Sequence, residues 1–156
     1  RLARADIIAS VQPRHITLDP GGPERDLGPE RVPYMWPFRT LLDSGATLAF
    51  GTDSPVTDID PIDAVYTAVT RRDADTHEPL GGWLPEERIT LAEALRAYTA
   101  GSAAAAQRAD ELGQLAPGMF ADITVLSPNP FKLAPDDLQQ AKVQATYVAG
   151  KKAYER

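Results

Sequence analysis

The stretch Thr47-Leu48-Ala49-Phe50-Gly51-Thr52-Asp53-Ser54-Pro55-Val56 holds the residues best placed to do chemistry in this chain. An apolar run ends in a glycine, a single carboxylate follows, and a proline stops the strand. A buried parallel strand that ends this way delivers one acid to the rim of an α/β barrel, where barrel enzymes keep catalytic groups and metal ligands. Asp53 at that place can ligate a metal and take a proton from metal-bound water. The same Asp-Ser-Pro spelling also suits an N-cap or an Asx turn. Spacing alone leaves both roles open.

His15 follows a second strand end, in Val11-Gln12-Pro13-Arg14-His15, on the same expected rim. It has the chemistry to bind metal or substrate; the competing reading is a surface histidine in a polar loop. Gln12 is placed either to hydrogen-bond substrate from the strand end or to satisfy loop backbone. Asp58 and Asp60 read as a turn and a helix N-terminal acid, favoured by the macrodipole. His77 lies in a charged loop and is expected to be solvated. Trp36 and Trp83 either line a pocket or pack internally. There is no Gly-rich phosphate loop after a strand, no H-E-x-x-H and no G-x-S-x-G. A metal site takes three or four ligands, so two histidines and one well-placed aspartate make half a site.

The elements that must position these groups follow from pattern. Ile7 to Val11 is a short non-alternating apolar run and reads as a buried strand. Thr17 to Pro33 reads as a loop. Met35 to Ser44 fits a helix with Trp36, Thr40 and Leu41 on one face and Gly45 as its stop. Thr47 to Phe50 is the next strand, which completes a βαβ unit. Pro61 to Val69 repeats at helical spacing behind a first-turn proline. Arg71 to Pro85 reads as a polar loop. Thr90-Leu91-Ala92-Glu93 is a capping box that opens a helix through Ala100. Gly101 should interrupt it, with Ser102 capping a second helix. After Gly113 the texture changes to strands at 121–126 and 143–148, a Gly150-Lys151 turn, and a short strand at Ala153-Tyr154. The boundary falls near 109–113, giving residues 1–110 as α/β and residues 111–156 as a small β module.

Length and composition bound the rest. The 156 residues are 43% apolar and 24% charged, about one domain's worth of ordinary soluble sequence. A net charge of -6 argues against nucleic acid, which needs clustered Lys and Arg. No apolar run approaches the roughly 20 residues that cross a bilayer. With no cysteine, disulfides and Cys-based metal sites are excluded. The N-terminus reads as lacking a signal peptide and, without a Met, as cut from something longer, which points to the cytoplasm.

Three segments resemble the last strands of metal-dependent amidohydrolases: Ser10-Val11-Gln12-Pro13-Arg14-His15, Leu41-Leu42-Asp43-Ser44-Gly45-Ala46 and Phe50-Gly51-Thr52-Asp53-Ser54-Pro55-Val56. Further matches follow in order through Thr70-Arg71-Arg72, Gly82-Trp83-Leu84-Pro85 and Tyr98-Thr99. Gly113-Gln114-Leu115-Ala116-Pro117-Gly118-Met119-Phe120-Ala121-Asp122 resembles the closing G-x-L-x-x-G-x-x-A-D signature. The match is nearest the amidohydrolase family-3 group, which holds enzymes like N-substituted formamide deformylase, and it covers essentially the whole chain.

The resemblance implies an α/β fold: the C-terminal part of a TIM-like (β/α)8 barrel, strands seven and eight with their helices, plus a few strands of a small β-sandwich. It implies a divalent metal centre, zinc by family habit, and hydrolysis of carbon–nitrogen bonds in amide-like, non-peptide small molecules. Asp53 then matches the eighth-strand aspartate that contacts metal and shuttles a proton. His15 matches the histidine of the Q-P-x-H segment, a substrate-side group rather than a ligand, and the role of Arg71 stays open. The family's H-x-H, its middle-strand Lys or Glu and its later histidines are absent and would lie upstream of Arg1. The isolated chain is therefore expected to be inactive. Its expected partners are substrate and the N-terminal part of the same enzyme, with a homo-oligomer left open. The competing expectation is a non-catalytic fragment or assembly module that keeps the fold.

Overall fold

The structure is a computed structural model that describes residues 1–156. Strand β1 (Ala9–Val11) opens the α/β part and is shorter than the expected 7–11. A five-residue 3-10 helix, Pro13–Thr17, leaves its end. The expected loop 17–33 is not structureless: helix α1 (Gly22–Leu27) forms there, with Pro23 in its first turn, where a missing N–H costs nothing. Helix α2 (Phe38–Asp43) starts later than expected, because Trp36 sits at φ 44 and Pro37 precedes the first turn. Trp36 therefore lies outside the face formed by Thr40 and Leu41. Gly45, at φ 83, ends α2 as expected, since the left-handed region favours glycine.

Strand β2 (Leu48–Phe50) then pairs parallel with β1, with Ala9 opposite Leu48 and Val11 opposite Phe50. All three β2 residues are buried. Helix α3 (Pro61–Thr70) begins at Asp60, whose side chain accepts from the Ile62 amide at 2.9 Å. Helix α4 (Leu91–Arg96) opens with the expected capping box between Thr90 and Glu93. Leu48, Phe50, Phe38, Val65, Ile89 and Ala97 meet in one core between β2 and these helices.

The break expected at Gly101 does not occur. A π turn, Ala97–Gly101, runs from α4 directly into α5 (Ser102–Ala105). Gly101 is helical, and a Cβ there would run into the Leu48 carbonyl oxygen. Its lack of a side chain lets the helix lie on β2 rather than end. Ser102 caps nothing; its hydroxyl is 3.0 Å from both the Phe50 and Ala97 carbonyls.

The C-terminal part is an antiparallel sheet in the order β3 (Ile123–Ser127), β4 (Lys142–Val148), β5 (Lys151–Glu155). The β4–β5 turn falls at Ala149-Gly150, one residue earlier than expected. Of its strand residues only Ala145 is buried. The segment between β3 and β4 folds back on the α/β part, where Leu138 packs with Tyr66 and Ala74. No helix is long and apolar enough to cross a membrane.

Candidate functional site

Because β1 and β2 are parallel, their C-terminal ends lie on one side, and the Gly51 amide reaches the Val11 carbonyl there at 3.3 Å. Both chains turn immediately beyond. After β1, Pro13 starts the 3-10 helix that carries His15, and the His15 amide donates to the Gln12 carbonyl at 3.2 Å. After β2, Asp53 takes φ 56, a conformation an aspartate tolerates better than most residues. The Val56 amide donates to the Asp53 carbonyl at 2.8 Å and the Thr57 hydroxyl to the Thr52 carbonyl at 2.6 Å, which fixes the turn.

These two turns bring His15 Nε2 within 3.8 Å of Asp53 Oδ2. The spacing is beyond hydrogen-bond length. The Asp53 side chain is 57% exposed and the His15 side chain 19%. His15 Nε2 is itself buried and has no hydrogen-bond partner, a group that calls for one. Asp60, not Asp53, caps the following helix. Gln12 sits at the end of β1 and is half-buried.

The other singled-out residues are engaged elsewhere. Arg71 is fully buried at the end of α3. Its Nε donates to the Trp83 carbonyl at 3.0 Å and its Nη1 to the Trp36 carbonyl at 2.9 Å. Its guanidinium lies 5.3 Å from the Phe38 ring centre and 5.5 Å from that of Trp83. Burial pulls it down to about 10, so it stays charged at neutral pH. Trp36 and Trp83 meet edge to face at 5.8 Å, and the Trp83 and Phe38 rings flank this cation. Trp83 also walls a cavity of about 410 Å³ with Thr17, Asp73 and Glu78. His77 is exposed, as expected, but not free: its Nε2 lies 2.9 Å from Gln139 Oε1 and its ring 5.3 Å from Tyr66. Pattern gave no warning of a buried Arg71 or of Gln139, because their partners are remote in sequence.

A metal ion does not fit these residues alone. No three His, Asp or Glu side chains converge anywhere in the chain. Asp53 and His15 are two donors, one short of the smallest protein ligand set.

A family model described as the amidohydrolase family matches residues 1–154. The chain belongs to that family. It is 41% identical over 155 residues to Protein LONG AFTER FAR-RED 3 of Arabidopsis thaliana, covering 99% of this chain and 26% of that protein. It is 35% identical over 122 residues to N-substituted formamide deformylase of Arthrobacter pascens, covering 78% of this chain and 22% of that protein. An uncharacterized metal-dependent hydrolase from Pyrococcus furiosus superposes with a TM-score of 0.63 at 31% identity, over 76% of this chain and 23% of that one. This amidohydrolase chain thus spans about a quarter of the length of the curated relatives it matches. Its G-x-L-x-x-G-x-x-A-D segment has a visible job: Asp122 accepts from the Ala149 amide at 2.7 Å and so pins the β4–β5 hairpin against β3.

Proposed function

We propose that these residues form the C-terminal part of a metal-dependent hydrolase that cuts carbon–nitrogen bonds in amide-like, non-peptide small molecules. The observation that carries the reading is the placement of His15 and Asp53, 3.8 Å apart at the ends of adjacent parallel strands, in a chain of this family. The Asp53 side chain is more than half exposed, and a carboxylate open to solvent can take the proton of the attacking water as a base and return it as an acid to the departing amine. His15, with Nε2 unpaired, and Gln12 at the strand end orient the substrate carbonyl. Residues 1–110 supply strands seven and eight of a TIM-like barrel with their helices, and residues 111–156 part of a β-sandwich module. Asp53 is one contact of a divalent metal, zinc in the first instance, whose other ligands come from the remainder of the protein. The reading places the enzyme in the cytoplasm, with a homo-oligomer as one assembly to test.

The experiment is steady-state hydrolysis of an N-substituted formamide by the zinc-loaded full-length protein, following amine release. Asp53→Asn should lower kcat about a thousandfold with the thermal midpoint unchanged. Wild-type turnover in that variant would remove Asp53 from the chemistry. One observation favours a second reading, a non-catalytic assembly module: at the strand ends potential metal ligands come together as the His15–Asp53 pair and no larger group. Stoichiometric zinc in the full-length protein would discard it.

A further inference from the structure

His15 sits in a 3-10 helix of five residues, too short to hold its own geometry, so its place depends on what anchors that turn. Arg14 anchors one end, donating to Asp75 Oδ2 at 2.9 Å and lying 3.3 Å from Asp63 Oδ2. Thr17 anchors the other, donating to Asp73 Oδ2 at 2.8 Å. Asp73 Oδ1 accepts the amides of Asp75 and Thr76 at 3.0 and 2.8 Å, which makes 73–76 one closed turn.

The far ends of these contacts converge on Gln139, in the short 3-10 helix Pro135–Gln140 between β3 and β4. Its Nε2 donates to Asp63 Oδ1 at 2.7 Å and to the Ala74 carbonyl at 2.8 Å. Its Oε1 is left to accept from His77 Nε2 at 2.9 Å. Leu138, buried against Tyr66 and Ala74, keys the segment in place. Only an amide meets all three partners. A carboxylate would face Asp63 with like charge, and a lysine would offer His77 no acceptor.

We propose that Gln139 is a positioning residue for His15, acting through Asp63 and Arg14 on one side and through the 73–77 turn and Thr17 on the other. It makes the segment between β3 and β4 part of the apparatus that sets the His15–Asp53 spacing. The proposal rests on the hydrolase reading for its kinetic consequence but not for its geometry.

The test uses the full-length protein carrying isotope-labelled histidine, with the His15 ring resonance assigned through His15→Gln. Gln139→Met should shift or broaden that resonance and lower kcat about tenfold, with KM changed less than about twofold. Gln139→Glu, which keeps the shape and the acceptor for His77, should move the same resonance in case the methionine variant does not fold. Val143→Ala, in β4 and outside this network, should lower the thermal midpoint and leave both kcat and the His15 resonance alone. An unmoved His15 resonance in the folded Gln139 variants overturns the proposal, as does a Val143→Ala protein that reproduces their effects. If the wild-type protein hydrolyses no amide, the hydrolase reading fails, and the His15 resonance still decides the role of Gln139.

Discussion

Glu93 joins two helices with one carboxylate. Its Oε2 accepts from the Thr90 amide at 2.7 Å, which closes the capping box, and from Arg39 Nη1 at 3.0 Å, while Oε1 takes Arg39 Nη2 at 2.8 Å. The two-pronged bond from Arg39 is the main reason its carboxyl is held down to about 2, with Thr90 adding to it and burial opposing. Because the folded value lies below the ordinary 4.5, the interaction stabilises fully above about pH 4.5 and is lost as pH falls toward 2. Glu93→Gln should therefore cost about 1 to 2 kcal/mol at pH 7 after allowing for solvent screening, and the gap to wild type should narrow steadily below pH 4.5 and close as pH approaches 2. Urea midpoints of the full-length protein at pH 7, 4 and 2.5 check this; a gap that stays constant would assign the effect to packing. The Thr90–Glu93 half of the interaction was legible in sequence because capping is local. The Arg39 half was not, since nothing in a sequence marks which arginine 54 positions away will arrive. Asp53 and His15 show the same division: each strand end could be read separately, but not the 3.8 Å that brings them together.

At the scale of elements, local signals held wherever they act on neighbours. Asp60-Pro61 opens α3, Gly45 closes α2, and β1 and β2 pair parallel across the intervening helix. They failed where packing decides. Gly101 reads as a breaker by propensity, yet it is the point where the α4–α5 helix touches β2, and a π turn takes up the extra residue. Proline and glycine between 20 and 33 read as loop, yet a proline in a first turn permits α1. Gly101→Ala discriminates the two roles of that glycine. If it were a breaker, alanine would favour the helix and stabilise by about 1 kcal/mol. Since its Cβ would meet the Leu48 carbonyl, alanine should instead destabilise by about 2 kcal/mol or more. It should also disturb β2, directly below the Asp53 turn, so chemical denaturation and kcat should both respond.

At the scale of the molecule, surface area is the telling quantity. A compact monomer of this mass exposes about 7,700 Å², whereas this chain exposes 9304 Å². The excess, about 1,600 Å², is about twice what one partner buries in a standard protein–protein interface. Its composition points the same way. Ile7, Ile59, Leu80, Leu115 and Phe131 are each more than half exposed, and Val125, Val148 and Tyr154 stand exposed on the three-stranded sheet. That sheet buries almost nothing of its own and needs a second layer. The β1–β2 pair has an unpaired edge on each strand, and open parallel edges recruit further strands. Relatives about four times as long have the chain to cover these surfaces. The 156 residues expressed alone should therefore self-associate, bind a hydrophobic dye and melt without a sharp transition, and they should show no hydrolysis with zinc added. Mixing them with the separately expressed remainder of the protein should suppress the dye signal and give one species by light scattering. A monodisperse, cooperatively melting monomer would mean that the exposed apolar face is tolerated, and the placement of β1 and β2 inside a closed barrel would lose its physical basis.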